Sequence, residues 1–428
     1  MTVVCTQCFA DKGLRRRIAQ ERPDHDVGNC ERHRRYKGLP IEAVAGIVDP
    51  VFRQSYGLTD GGWNSRSGDS LETLLYDLTG VEDEAVMADL MAALVQGDDY
   101  WPGDGGEAFY DDTFEYVAND QALWTHGLLW ERLRSRLLHG QRFFNRQVLS
   151  GLAEIFEGVH LQRGTDKRPA VYALAPGDRQ SRFHRARIAQ TEALRTEIRE
   201  NPVSKLGPPP DRLRKPGRLN ASGISAFYGS FDMDTCVAEL RPRVGAFLVA
   251  ARFELTRPII VLDMTRFETA PKASNRFAKD HVVRLAQHNF MRSFMREIAQ
   301  AVSPDDEHLD YVPSQAVAEY LAHHHQFNLN GRRVRIEAII YRSAQNPRGL
   351  NIAILGDAAR VGLSKADLAT RPKRDPVSPF HDQLEPPSGD SVAIIVRPAT
   401  FEVRRVESAS FSSPVLADTG GTDWDEDP

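Results

Sequence analysis

Two arginine-rich stretches and one carboxylate are the residues whose types and spacing could do chemistry in this chain. Arg185 lies in the run RFHRAR, and the turn-rich segment GRLN carries Arg218 and Asn220. Glu239 follows on an apolar helix face, where a buried carboxylate is costly unless a nearby group needs its charge. One guanidinium group can donate two parallel hydrogen bonds to two phosphate oxygens, and a fixed carboxylate stabilises positive charge. This set predicts a pocket that binds and cleaves a dinucleotide.

The order of these segments resembles the RES domain, a family named for its arginine, glutamate and serine. The resemblance rests on Arg185, then GRLN, then Tyr228, and then Glu239 eleven residues later. The segment YVPSQ at 311–315 is similar to the family's serine segment, and SAQNPRGLN is similar to its closing segment. The resembling part runs from about 180 to 405. It implies an ADP-ribosyltransferase-like fold that consumes NAD, often as the toxin of a bacterial toxin–antitoxin pair.

The roles of these residues follow from what NAD cleavage needs. Loss of nicotinamide builds positive charge on the ribose, so the pocket must hold the pyrophosphate and place negative charge near the ribose. Under this hypothesis Glu239 supplies the charge, and Arg185 and Arg218 bind the pyrophosphate. Tyr228 packs against nicotinamide, and Ser314 bonds its amide or a ribose hydroxyl. The predicted cofactor-binding set also includes Asn220 and Ser343, the reserve serine.

Each of these residues also has a purely structural interpretation. Arg185 would then be a surface strand residue, and Tyr228 would be a core aromatic residue. Ser314 would cap the helix that follows it, since Pro-Ser before AVAEYL is typical of a helix start. Glu239 would form an ion pair at the end of its helix. Its partners would be Arg241 or Arg243.

The N-terminal segment has metal-ligand spacing. A Cys-x2-Cys pair and a Cys-x2-His pair each present two ligands from one tight turn, which suits a tetrahedral metal ion. In a reducing compartment a disulfide is the weaker interpretation. His25 is a competing fourth ligand, and Cys236 is expected to pack as a small buried residue. The predicted ligands of a structural zinc ion are Cys5, Cys8, Cys30 and His33.

The region between residues 40 and 165 is predicted to be an all-helical bundle, because its apolar residues recur at helical spacing. One helix contains Arg134 and His139 in an Arg-x4-His spacing that resembles the motif of HEPN helical domains. Some HEPN domains cleave RNA, and similar helical domains occur ahead of RES domains. The alternative is a solvated helix end with His139 near its C-terminus.

Beyond residue 176, short β-rich runs outnumber helical patterns, so the predicted fold class is α+β. Asp232 is expected to cap the helix that carries Glu239. The predicted strands include 246–253, 258–263, 335–341, 351–355, 392–396 and 401–406. The predicted domains are a zinc knuckle at 1–36, a HEPN-like helical domain at 40–165, a RES domain at 176–407, and an acidic tail at 408–428 that we expect to be disordered.

Composition limits the partners and the location. The chain is 41% hydrophobic and 26% charged, with a net charge of −5, which is typical of a soluble globular protein and argues against extended nucleic-acid tracking. No apolar run approaches the roughly 20 residues of a membrane span. The N-terminus lacks a signal peptide's features, so the cytoplasm is the expected location.

The sequence supports three functional hypotheses. The first is an NAD glycohydrolase or phosphorylase that acts as a toxin or defence effector, with NAD as substrate and an antitoxin protein or a second copy of the chain as partner. The second is an enzyme that transfers ADP-ribose to a protein or nucleic acid. The third is an RNA-binding or RNA-cleaving module made of the zinc knuckle and the helical bundle. Basic segments at 212–218 and 332–335 favour the third.

Overall fold

The chain divides into two units, each built from two separate segments. The first contains Met1–Tyr172 and Val261–Ile336, and the second contains Ala173–Ile260 and Glu337–Pro428. The fold is α+β, with helices in the N-terminal part and a large mixed sheet in the C-terminal part, which confirms the predicted fold class. The computed structural model describes residues 2–25, 28–59, 68–98, 108–119, 124–269, 275–278, 280–300, 306–370 and 387–408. The predicted disordered tail, 408–428, lies outside these residues except for its first position.

The helices and strands are short, and their bounds are as follows. The helices are α1 Lys12–Glu21, α2 Ile41–Ser55, α3 Leu71–Thr79, α4 Glu84–Gln96, α5 Thr125–His139, α6 Arg146–Phe156, α7 Glu192–Glu200, α8 Pro202–Leu206, α9 Met233–Glu239, α10 His281–Ala299, α11 Glu307–Asp310, α12 Val312–His323 and α13 Lys365–Ala369. The strands are β1 Val3–Val4, β2 Leu39–Pro40, β3 Tyr56–Leu58, β4 Asp69–Ser70, β5 Glu115–Ala118, β6 Val171–Leu174, β7 Arg182–Ile188, β8 Ala226–Ser230, β9 Phe247–Leu255, β10 Ile259–Asp263, β11 Phe327–Leu329, β12 Arg332–Val334, β13 Ala338–Arg342, β14 Leu350–Leu355, β15 Val361–Gly362 and β16 Ile394–Arg405.

The first unit buries the apolar faces of its helices. Leu14 and Ile18 of α1 belong to the same core as Phe52 of α2, so the N-terminal segment shares a core with the helices that follow it. In a second region of this unit, the ring of Trp130 lies 5.3 Å from that of Phe294, in edge-on contact. Residues 261–336 therefore pack with the first 172 residues, although the sequence places them in the RES segment. No helix among the described residues is long and apolar enough to cross a membrane.

The second unit is organised around a mixed sheet. Its strands lie in the order β15-β16-β9-β7-β8-β14-β13. The pairing of β15 with β16 is parallel, and the other pairings along this order are antiparallel. Side chains of residues that pair across neighbouring strands point to the same face of the sheet. The register therefore defines a row of side chains across five strands. The row consists of Arg397, Arg252, His184, Ser230 and Asn351.

The last strand, β16, corrects the sequence prediction. The runs 392–396 and 401–406 are predicted as two strands, but they form one strand from Ile394 to Arg405. Its register against β9 shifts between Arg397 and Glu402. An irregularity of this kind bends a strand without ending it, because the ladder resumes on both sides.

Candidate functional site

Helix α9 positions the candidate catalytic carboxylate. The side chain of Asp232 accepts a hydrogen bond from the backbone N–H of Thr235 at 2.8 Å, which confirms the predicted cap. The helix then runs to Glu239, its last residue. Cys236 on the same helix is buried, as predicted, and burial raises the pKa of its thiol to about 12. The helix therefore packs through Cys236 and places Glu239 at its exposed C-terminal end.

The Glu239 carboxylate is held through one of its two oxygens. Oε1 accepts hydrogen bonds from Ser343 Oγ at 2.6 Å and from Asn351 Nδ2 at 2.7 Å. The Oδ1 of Asn351 in turn accepts from Ser230 Oγ at 2.7 Å. Ser230, Ser343 and Asn351 are buried, whereas Glu239 is exposed. Oε2 accepts no hydrogen bond within the described part of the chain, so it can face a ligand.

The turn between β13 and β14, residues 343–349, fixes Ser343 and is called the anchoring turn here. Ser343 Oγ accepts hydrogen bonds from the backbone N–H groups of Gln345 and Asn346 at 3.1 and 3.0 Å. Asn346 Nδ2 donates to Thr235 Oγ1 of α9 at 2.8 Å. A Cβ at Gly349 would lie 2.0 Å from the same Oγ1, so only glycine fits there. The turn and α9 are thus locked together around Glu239.

The GRLN turn is shaped by Tyr228. The phenol oxygen of Tyr228 donates to Asn220 Oδ1 at 2.7 Å and accepts from the backbone N–H of Leu219 at 3.0 Å. The Nδ2 of Asn220 donates to three backbone carbonyls, at residues 215, 221 and 224. These bonds hold the side chain of Asn220 between its own loop and Tyr228 of β8. Arg218, on the same turn, is half-buried.

The environment of Arg185 does not agree with the purely structural interpretation, in which it would be a surface strand residue. Its guanidinium carbon lies 4.9 Å from the ring centre of Phe227, and its buried Nη1 has no hydrogen-bond partner among the described residues. Burial lowers the pKa of Arg185 to about 10. Because side chains alternate along β7 and His184 pairs with Ser230, Arg185 lies on the opposite face from Ser230. Within the described chain, no hydrogen bond joins Arg185 to Glu239.

The two candidate serines occupy different places. Ser343 contacts Glu239 directly. Ser314 belongs to the first unit and is buried in the first turn of α12, where its Oγ donates to the carbonyl of Tyr311 at 3.1 Å. Its side chain does not cap α12, which begins at Val312. The structure thus brings together Glu239 and Ser343.

Ser230 and Asn351 are site residues that the sequence prediction missed. Asn351 ends the quoted segment SAQNPRGLN, and Ser230 follows Tyr228 by two positions, so both lie next to predicted residues. The usable signal was the alternation of β8, which places Ser230 on the same face as Tyr228. Their pairing depends on strand register, which one sequence does not reveal.

The Arg-x4-His motif does not form a cluster. Arg134 Nε lies 3.9 Å from Glu297 Oε1, and Trp130 Nε1 donates to the other carboxylate oxygen at 3.0 Å. Burial raises the pKa of Glu297. His139 is exposed at the last position of α5. Residues five apart lie about 140° apart around a helix, so Arg134 and His139 face different surroundings.

The four predicted metal ligands lie together. Their ligand atoms are all within 4.8 Å of one another, with Cys8 Sγ at 3.6 Å from Cys30 Sγ and 3.5 Å from His33 Nδ1. Edges of about 3.7 Å are those of a tetrahedron around a metal with ligand bonds of about 2.3 Å. Backbone N–H groups of Gln7 and His33 point at the sulfurs of Cys5 and Cys30, as ligating thiolates require. The competing ligand, His25, is not in the cluster. This group could hold a metal ion.

The second unit thus presents an anchored, exposed carboxylate on an α+β fold, which is a site suited to bond-cleaving or group-transfer chemistry. The model of the RES domain family matches residues 182–374, a little under half of the chain. It includes Arg185, the GRLN turn, Tyr228 and Glu239. RES domains are linked to NAD, so the match supports an enzyme that acts on NAD. No curated protein and no solved structure matches the chain.

Proposed function

We propose that this protein consumes NAD by cleaving the nicotinamide–ribose bond, with Glu239 as the catalytic carboxylate. The observation that carries the proposal is the fixed orientation of Glu239 within a RES domain. Oε1 is held by Ser343 and Asn351, and Oε2 is left for a ligand. A carboxylate held in advance stabilises developing positive charge without a reorganisation cost during the reaction.

The proposed ligand of the NAD pyrophosphate is Arg218, with Arg185 as a second candidate. Arg218 lies on the turn that Tyr228 and Asn220 hold in place. Arg185 lies on the face opposite Ser230, but its buried Nη1 has no acceptor among the described residues, and a phosphate oxygen would satisfy it. Ser343 is the serine proposed for the site, because it contacts Glu239. Ser314 stays a second candidate.

The test is a Glu239→Gln variant, which keeps the shape of the side chain and removes its charge. We expect it to lose NAD turnover while its circular dichroism spectrum and melting temperature stay unchanged. Asp234→Asn, an exposed change on the same helix, is the matched control and should keep full turnover. Wild-type turnover by Glu239→Gln would overturn the proposal.

The acceptor is identified with adenine-labelled NAD, with and without inorganic phosphate. Label in free ADP-ribose shows water as acceptor, and label in phosphorylated ADP-ribose shows phosphate. Label on a macromolecule shows an ADP-ribosyltransferase. We favour water or phosphate, with the protein acting as a growth-arresting toxin or defence effector whose partner is an antitoxin. Growth arrest on expression should then require Glu239 and coincide with a fall in cellular NAD.

The metal proposed for the Cys5, Cys8, Cys30 and His33 cluster is zinc, in a structural role. Three sulfurs and one imidazole nitrogen are a ligand set that zinc prefers, and they close all four positions of a tetrahedron. The ion would tie the segment before α1 to the turn around residues 30–33. Since no position stays open, the site would have no catalytic role.

A further inference from the structure

We infer that Arg241 binds a phosphate group beside Glu239. The inference rests on the proposed function only for the identity of the molecule that carries the phosphate. Arg241 follows α9 and comes two residues after Glu239. Its backbone, its hydrogen bonds and its charge each point to a role for the side chain.

The backbone of Arg241 takes a conformation that favours glycine. Its φ angle is +45°, in the left-handed region, where a Cβ crowds the following carbonyl. Glycine commonly ends helices in this conformation at no such cost. An arginine held there at the end of α9 therefore indicates a need for its side chain.

The guanidinium of Arg241 is oriented by a neutral residue. When the Gln345 amide is assigned with its oxygen toward the guanidinium, which places an acceptor opposite these donors, that oxygen accepts from Nε at 3.2 Å and from Nη2 at 3.0 Å. No described carboxylate forms an ion pair with Arg241, so its charge is not neutralised. By contrast, Glu254 in the same unit lies within ion-pair distance of a group of arginines. That group consists of Arg182, Arg252 and Arg397.

The same anchoring turn holds Arg241 and Glu239. Ser343 binds the carboxylate, Gln345 binds the guanidinium, and the backbone N–H of Gln345 donates to Ser343 Oγ at 3.1 Å. An exposed cation and an exposed carboxylate are thus fixed by two residues of one turn. A phosphate bound by the guanidinium would lie next to the group proposed to stabilise the ribose cation. The phosphate would come from the NAD pyrophosphate or from inorganic phosphate as acceptor.

The test compares Arg241→Gln with Arg243→Gln, an exposed arginine two residues further along the chain. If Arg241 binds inorganic phosphate, the substitution should raise the KM for phosphate at least tenfold and shift the products toward free ADP-ribose. If it binds the dinucleotide, the KM for NAD should rise at least tenfold at any phosphate concentration. Changes no larger than those of Arg243→Gln in both constants would overturn the inference.

Binding measurements separate this inference from the proposed function. Calorimetric titration of the wild-type protein with inorganic phosphate and with pyrophosphate does not depend on turnover, and Arg241→Gln should weaken one of the two at least tenfold. Equal binding by the wild type and the variant refutes the role of Arg241 even if Glu239 proves catalytic. Arg241→Gly serves as a folding control: it should raise the melting temperature and still lose the phosphate effect.

Discussion

Asn351 donates a hydrogen bond from Nδ2 to Glu239 Oε1 at 2.7 Å, which ties a central strand of the sheet to the end of α9. The direction of this bond is fixed by a third residue. Because Ser230 Oγ donates to Asn351 Oδ1 at 2.7 Å, the amide can present only its nitrogen to the carboxylate. Ser230 and Asn351 are therefore positioning residues that act through Glu239.

Asn351→Ala should lower kcat for NAD by about 10- to 100-fold, since a hydrogen bond to a charged group is worth about 1.5–3 kcal/mol. Ser230→Ala should have a smaller effect, because it leaves the bond to Glu239 in place but frees the amide to rotate. Steady-state kinetics on both variants checks the prediction, with Asn328→Ala on exposed β11 as control. An Asn351→Ala enzyme as fast as Asn328→Ala would contradict it.

Tyr228→Phe separates two roles of the tyrosine. If the ring packs against nicotinamide, phenylalanine should be tolerated. The hydrogen bonds predict otherwise, because the change strips Asn220 Oδ1 and the Leu219 N–H of their shared partner. We expect the free energy of unfolding to fall by about 1–3 kcal/mol and the KM for NAD to rise as the GRLN turn loosens. Denaturant titration and kinetics test this, with exposed Tyr76→Phe as the control.

Gly349→Ala should disturb the site from a distance. The added Cβ would lie 2.0 Å from Thr235 Oγ1 and 2.6 Å from its Cγ2, so the anchoring turn must move away from α9. We expect a loss of about 1–3 kcal/mol in stability together with a fall in kcat. Gly57→Ala, where nothing lies within 4 Å of the new atom, should be silent. An unchanged melting temperature in Gly349→Ala would contradict the prediction, because the turn would then have moved without a loss of stability.

Purified protein should contain one zinc ion per chain by elemental analysis. Cys8→Ser should lower the zinc content and the melting temperature, since a structural metal contributes its binding energy to folding. Cys236→Ser changes a buried cysteine outside the cluster and should keep the zinc. Full zinc occupancy in Cys8→Ser would place the metal elsewhere.

Acid should destabilise the first unit through His288. Both ring nitrogens of this residue are buried without hydrogen-bond partners in the described chain, and burial lowers its pKa from 6.5 to about 4. Between these values the unfolded chain binds the proton and the folded chain does not. Stability is therefore complete above about pH 6.5 and falls as the pH drops toward 4, by about 3 kcal/mol in all. Between pH 4.5 and 7.5 the melting temperature of His288→Phe should change less than that of the wild type. An equal change in both proteins would refute this.

Local features were predictable from the sequence, and features set by distant pairing were not. The cap by Asp232 and the two ligand pairs, Cys-x2-Cys and Cys-x2-His, follow from short spacings within single turns. The Ser230–Asn351 pair joins strands whose residues are 121 positions apart, so it depends on a register that the sequence does not reveal. Ser343 and Ser314 each lie in a plausible segment, and only the fold shows which one contacts Glu239.

The first unit is built from two separate segments of the chain, Met1–Tyr172 and Val261–Ile336, and this has a consequence for folding during synthesis. Trp130 Nε1 bonds to Glu297, 167 positions later, and its ring packs on Phe294 from the same late helix. When the ribosome has released residues 1–172, this face of α5 has no cover, and the intervening sheet strands must emerge before α10 arrives. Nascent chains paused there should be bound by chaperones or cut by proteases. A truncated gene ending at residue 172 should yield an aggregation-prone product.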